Sequence, residues 1–324
     1  MEGVKLPVKP SRTDAVALAV VTVWGVNFAF LKIAVDQFQP LAFNFLRFAG
    51  MLVLAWAVVA VRRSPVTIPR TDVRRVVAAG IVGYTGYITL SIVGLGFTTA
   101  FSNAVLIAAA PIFTALLLWA WRVEAIGGVR ALGLAISLAG VSAFVADKLG
   151  HGVGGAGLGD ILSLAAAALY AGYTVLLKPL LARHPATSVT AWTLTAGAIP
   201  VFAICLPALL GQDWARVQWT GWAVLGWSIV GPVYVAWTLW SWVTARAGVA
   251  RTNAFMFLVP VVGGAASVVL TGEGMGPAKL LGAGLVMAGL ILVRRRSGRA
   301  PQPGRPQSEP VLGDLARNGA GERV

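Results

Sequence analysis

Apolar residues run along this chain in long unbroken blocks instead of alternating with polar ones. Leu132 to Ala146 holds no charged residue before the next polar gap, and neither do Ile161 to Leu177 and Leu280 to Val293. Blocks of roughly 20 residues, rising about 1.5 Å per residue as a helix, match the ~30 Å hydrocarbon layer of a bilayer. The pattern predicts an all-α, polytopic membrane bundle of ten transmembrane helices. The spans are Asp14–Val35, Leu41–Val61, Val73–Ile92, Thr98–Trp121, Ala131–Ala146, Asp160–Leu177, Ser188–Leu210, Gly221–Thr244, Thr252–Thr271 and Ala278–Val293. Gly94-Leu95-Gly96 is the expected turn between spans three and four. The first block follows Lys5, Lys9 and Arg12 as a signal peptide would, but it is too long, carries Trp24 and Asn27 and lacks a convincing cleavage site. It reads as a retained span.

The blocks repeat. Pro111, Glu124, Gly133 and Gly140 recur as Pro260, Glu273, Gly282 and Gly289 at a constant offset of 149. Asp14, Trp24 and Lys32 recur as Asp160, Tyr170 and Lys178 at an offset of 146. The chain therefore divides into an N-terminal tail (1–13), a first five-helix repeat (14–147), a Gly-rich linker (148–159), a second five-helix repeat (160–294) and a Pro-, Gly- and Arg-rich tail (295–324) expected to be disordered. Five is odd, so the second copy enters the membrane inverted. Inverted repeats surround a central site that opens alternately to either face.

Charge sets the orientation. Arg62, Arg63, Arg70, Arg74, Arg75, Arg122, Arg130, Lys178, Arg183, Arg246, Arg251 and Arg294 to Arg296 fall on one side, against Lys32, Lys148, Arg216 and Lys279 on the other. The basic side is cytoplasmic, which places both termini inside. Hydrophobic residues make up 57% of the 324, charged ones 12%, and mean hydropathy is +0.79, which rules out an ordinary soluble surface. The net charge of +14 sits in short gaps and tails, without stacking aromatics beside it, so no nucleic-acid partner is expected. Cys205 is the only cysteine and His151 and His184 lie in separate linkers, so neither a disulfide nor a metal site is expected.

Arg47 is the only charge well inside an apolar span, where an arginine costs about 2.5–3.5 kcal/mol on insertion scales. With Asn44 on the same helix face it reads either as an anchor for a carboxylate or phosphate, or as a clamp on helix-end carbonyls. Polar and aromatic groups also share faces at steps of three or four: Trp24, Asn27 and Phe28; Tyr84, Tyr87 and Ser91; Tyr170, Tyr173 and Thr174; Tyr234, Trp237 and Ser241. They suit a small-molecule cavity, or interhelical packing. Asn103 and Asn253 join them as candidate solute-binding amides near the starts of spans four and nine. Pro111 and Pro260 interrupt helices four and nine at equivalent depth, as hinges or as static bends. Glu124 and Glu273, near span ends on opposite faces, are candidates for gating or coupling, or simply solvated or Arg-paired helix ends. Trp119, Trp121, Trp214, Trp219 and Trp242 fall near span ends as interfacial anchors. Gly133, Ser137 and Gly140, with Gly284 and Ala288, form small-residue stripes for close packing, within the chain or in a homodimer.

Trp24-Gly25-Val26-Asn27-Phe28, Phe45-Leu46-Arg47-Phe48 and the paired Pro…Glu…Gly…Gly patterns resemble the EamA-type branch of the drug/metabolite transporter superfamily. Gly159-Asp160 and Ala250-Arg251-Thr252-Asn253-Ala254 ahead of Pro260 agree with it in the second half. The resemblance runs from about Asp14 to Val293. It departs at Tyr170-Ala171-Gly172-Tyr173, where many relatives carry Trp-Ala, although an aromatic keeps the place. It implies ten helices in two inverted halves, cytoplasmic termini, and export or exchange of amino acids, other metabolites or drugs across a prokaryotic inner membrane.

Gly152-Val153-Gly154-Gly155-Ala156-Gly157 matches a dinucleotide fingerprint by letter, but a membrane helix precedes it where a strand is needed. No P-loop motif is present and no cofactor is expected. No Asp or Glu falls within the apolar runs, which favours zwitterionic or anionic solutes, or a facilitator, over cationic drugs. The leading function is a secondary transporter for a small solute. The alternative is an intramembrane enzyme or flippase-like subunit acting on a lipid-linked substrate, which would want a cluster of acidic or histidine residues near the interface.

Overall fold

The computed structural model describes residues 12–122, 126–150, 154–247, 255–256, 258–274 and 276–295, and among these there is no strand. Its helices are α1 (Arg12–Val35), α2 (Pro40–Val61), α3 (Arg70–Phe97), α4 (Ala100–Ala120), α5 (Gly128–Gly150), α6 (Gly154–Leu181), α7 (Ala186–Leu210), α8 (219–247), α9 (Leu258–Thr271) and α10 (Pro277–Arg295). Seven of the described helices are long and apolar enough to cross a membrane, and Gly128–Ala143, Leu258–Thr271 and Lys279–Val293 are shorter apolar helices. In hydrocarbon no water satisfies backbone N–H and C=O groups, so a chain this apolar pairs them within helices.

Two expected connections are helical instead. Gly94-Leu95-Gly96 lies inside α3, and the turn to α4 is Thr98-Thr99. Gly94 serves packing: a Cβ there would meet the Gly159 carbonyl of α6 at 2.9 Å. Thr99 supplies the stop and restart, because its side chain accepts from the Ser102 N–H and caps α4. Residues 154–159 of the expected linker likewise belong to α6.

Hydrogen bonds sort the connections into two ends of the bundle. At one end, Gln39 N–H donates to Gln212 Oε1 at 2.7 Å, and Gln37 Nε2 donates to Thr220 Oγ1 at 3.0 Å. There too Lys32 reaches the Leu95 carbonyl, Thr98 bonds Asp160, and Glu273 accepts from the N–H groups of Ala100 (2.6 Å) and Phe101 (3.2 Å). At the other end, Thr187 bonds Ser64, Ser188 bonds the Pro65 carbonyl, and Asp72 holds both Arg183 (2.8 Å) and His184 (2.7 Å). The α1–α2, α3–α4, α7–α8 and α9–α10 connections therefore share one end with the start of α6. Helix α1 starts at the other end, so α6 runs opposite to its counterpart α1.

Packing repeats the same symmetry. Helix α1 lies on α9 as α6 lies on α4, and α3 lies on α6 as α8 lies on α1. Helices α2 and α7 pair with each other, as do α5 and α10. Exchanging each helix for its counterpart five places along returns these main pairings, as a twofold pseudo-axis requires.

The axis is marked at the α5–α10 contact. Ser137 Oγ donates to the Val286 carbonyl at 3.1 Å, and these two positions are 149 apart, the repeat offset itself. A Cβ on Gly133 would meet the Gly289 carbonyl at 2.8 Å, and one on Gly140 would meet Val286 N at 2.7 Å and the Gly282 carbonyl at 2.8 Å. Partner numbers fall along α10 as they rise along α5, so two equivalent helices cross antiparallel, glycine on glycine. The Gly133, Ser137 and Gly140 stripe is thus filled from within the chain. Gly284 and Ala288 point the other way and are exposed, and a Cβ on Gly284 meets nothing.

Gly140→Leu should lower the thermal unfolding temperature in detergent or abolish folding, because overpacking costs about 1–3 kcal/mol or more where backbone must shift. Gly284→Leu should leave that temperature unchanged. Glu273→Ala, which strips a cap from α4, should cost about 1 kcal/mol in the same assay, and Glu273→Gln should cost less because an amide oxygen still accepts.

Candidate functional site

Helix α3 changes winding in its middle. Residues Ile81–Ile88 form a π-helical stretch, and α8 does the same over Gly231–Val235. Pro232 lacks an N–H and prevents a regular ladder in α8, while Gly83 and Gly86 remove side-chain bulk in α3. The two stretches occupy equivalent places in the two halves; the first carries Tyr84 and Tyr87 and the second Tyr234. The wide turn moves Tyr84 and Tyr87 off the spacing that a regular helix gives.

Both tyrosines meet α6. The ring of Tyr84 lies 5.7 Å from that of Tyr173, and Tyr87 lies 4.9 Å from Tyr170. Gly83 has no side chain where the Tyr173 ring passes, so any Cβ there would strike it. From α2, Phe48 meets Tyr84 edge-on at 6.1 Å, and Asn44 Nδ2 donates to Thr89 Oγ1 at 3.1 Å. Arg47 lies between these two contacts in sequence and is 8% exposed. The charge of its guanidinium is felt at Tyr87, with which it interacts electrostatically. Its buried Nε has no hydrogen-bond partner among the described residues. No described carboxylate pairs with it either: Asp36 holds Lys32, and Asp72 holds Arg183 and His184. A buried guanidinium without an anion is costly, and such an orphaned donor marks a place where something else supplies the acceptor.

The remaining candidates lie around this cluster in varying relation to it. Trp24 on α1 stacks near Trp240 (5.1 Å) and Trp237 (5.9 Å), and its indole N–H donates at 3.0 Å to the Pro232 carbonyl of the α8 π turn. Tyr234 bonds the Met51 carbonyl of α2 at 3.4 Å. Trp237 is 54% exposed and so faces largely outward. Asn27 is buried with Oδ1 unsatisfied, Phe28 packs into an apolar cluster with α3 and α8, and Thr174 bonds back to the Ala171 carbonyl. Asn103 is placed elsewhere: it donates to Ser163 Oγ at 2.8 Å and to the Ser91 carbonyl, tying α3, α4 and α6 near the Thr98–Asp160 end. Asn253 and Glu124, and the Ser241 side chain, lie outside the described residues.

Pro111 begins the second segment of a broken α4, Ala100–Ala108 followed by Ala110–Ala120. Pro260 sits in the first turn of Leu258–Thr271, the matching place in α9. Glu273, instead of standing free, caps α4 across the boundary between halves. Trp119, Trp121, Trp214 and Trp219 are exposed, in keeping with anchoring at the bilayer surface. Sequence reasoning missed Phe48, Thr89 and Trp240. Phe48 follows Arg47 directly and shares a face with Asn44 at i+4, a signal that was available.

The model of the EamA-like transporter family matches this chain twice, over residues 11–146 and 157–295. A protein of Streptantibioticus cattleyicolor named "Probable terminal-alkyne amino-acid exporter" is 30% identical over 300 residues, covering 90% of this chain and 97% of the relative. One from Escherichia coli named "Probable amino-acid metabolite efflux pump" is 28% identical over 291 residues, covering 87% and 95%. A crystal structure of a protein 19% identical superposes with a TM-score of 0.59, over 91% of this chain and 100% of that one, which shows a shared fold. With both halves matched and the bundle's packing exchanged between them, the chain belongs to the EamA-like transporter family and is a transporter of small solutes, not an enzyme.

Proposed function

We propose that this chain is a secondary transporter that moves an amino acid-like or other small organic solute across the inner membrane by alternating access, as an exporter or exchanger. The observation that carries the reading is Arg47, buried on α2 between Asn44, which bonds Thr89 of α3, and Phe48, which meets Tyr84 of α3, with no described carboxylate paired to it. A solute carboxylate would complete the guanidinium's hydrogen bonds, and the tyrosine faces would receive its apolar part. The names of the two relatives, an amino-acid exporter and an amino-acid metabolite efflux pump, support the same solute class.

Antiparallel equivalence of the halves supports the mechanism. Two conformations related by exchange of the halves have nearly the same internal energy, so the site opens to one face and then the other with little net cost. The matched breaks at Pro111 and Pro260, with the matched π turns in α3 and α8, supply flex points in both halves. In this reading the bundle makes ten crossings, and the arginine-rich end, with Arg62, Arg63, Arg70, Arg74 and Arg75, faces the cytoplasm along with both termini.

Arg47→Ala and Tyr87→Ala should each reduce amino-acid flux in proteoliposomes by roughly tenfold or more while the protein still folds and inserts, the loss expected for one charge-assisted contact. Flux unchanged by both would contradict the placement of the site. A reporter fused after Val293 should be active only in a cytoplasm-dependent form; activity only in a periplasmic form would overturn the orientation.

A further inference from the structure

We infer that the site recognises its solute by the carboxylate and does not read an α-amino group, so amine-free carboxylates are bound as well as amino acids. The inference rests on the solute site proposed above and deepens it. The carboxylates whose side chains are described lie at the ends of the bundle or are engaged there. Asp160 bonds Thr98 and stands ten residues before Tyr170, about 15 Å along α6. Asp72 holds Arg183 and His184 and stands twelve residues before Tyr84, about 18 Å along α3. Asp14 opens α1, ten residues before Trp24. Glu273 caps α4, Asp36 follows α1 and pairs with Lys32, and Asp213 caps the turn Trp214–Arg216 between α7 and α8.

The middle of the described bundle therefore holds one cation, Arg47, and no anion. A carboxylate arriving there meets a guanidinium that is buried and whose Nε has no partner among the described residues. That contact replaces the water the carboxylate leaves behind. An ammonium arriving there finds tyrosine rings and hydroxyls and the like charge of Arg47. Ring faces return only part of the hydration an ammonium gives up, and a neighbouring cation opposes it. The two ends of an amino acid are thus treated unequally. Removing or acylating the amine sacrifices little, whereas neutralising the carboxylate sacrifices the principal polar contact.

A phenyl series suits the aromatic wall of Phe48, Tyr84, Tyr87, Tyr170 and Tyr173. Phenylalanine, phenylpyruvate, N-acetylphenylalanine, phenylalanine amide and phenethylamine would be titrated against purified wild-type protein, with ligand-induced thermal stabilisation giving the apparent affinity. The three carboxylates should agree within about threefold, and the amide and the amine should bind roughly tenfold weaker or worse, the range of one charge-assisted pair. Arg47→Gln should abolish the difference between phenylpyruvate and the amide, and Arg47→Lys, which keeps the charge without the fork, should keep the order at lower affinity. Amide or amine binding as tightly as phenylpyruvate, or binding by none of the carboxylates, would overturn the inference. Arg47-dependent flux of phenylalanine that phenylpyruvate fails to compete would also overturn it while leaving the transporter site standing. Flux and binding both indifferent to Arg47 would remove the site as well.

Discussion

The contact on which this architecture turns is the antiparallel crossing of α5 and α10. There Ser137 bonds the backbone of its own counterpart Val286, and glycines at 133, 140, 282 and 289 bring two backbones together. In a bilayer the apolar effect that drives helices together in water is absent, so association depends on close van der Waals contact and on the few polar bonds that small residues permit. A glycine seam gives that contact over several turns. Its self-symmetry also records how the halves relate, since the two equivalent helices cross antiparallel at it.

From that constraint the rest follows in order. Once α5 and α10 are antiparallel, α1 and α6 enter from opposite ends, and each half wraps its first helix against the ninth or fourth of the other. The proposed site lies where α2 and α3 meet, and α3 in turn meets α6, with Arg47 buried there. The π turns interrupt α3 and α8 at equivalent places, and the Trp24 indole donates to a carbonyl of the α8 turn, so a side chain from the neighbouring helix satisfies part of the irregular backbone. The described carboxylates lie at the ends, and the described middle carries one positive charge among aromatic rings.

Much of this was legible in the sequence because lipid imposes simple rules. Block length gave the helices, and the offsets of 146 and 149 gave the duplication. An odd helix count gave the inversion that the hydrogen bonds at the two ends display. The parts that were not legible depend on winding and on partners. Regular 3.6-residue spacing cannot anticipate a π turn, so the contacts of Tyr84 and Tyr87 needed coordinates. Gly94 and Gly96 read as turn residues because a glycine used for helix packing looks the same in sequence as one used for a bend. Asn103 read as a site residue because a buried amide facing a solute and one tying three helices have identical composition. Glu273 read as a gating candidate or a solvated helix end because the donors it accepts from, two N–H groups some 170 positions earlier, leave no local trace.

The central claim is that one site, set between inverted halves, is visited from both faces. Cys205 is the only cysteine, so replacing it by serine and introducing Tyr87→Cys leaves a single thiol at the site. In oriented vesicles, an impermeant thiol reagent added on either side should label that cysteine, and solute should slow labelling from both. Labelling from one face alone, whatever solute is present on either side, would contradict the account.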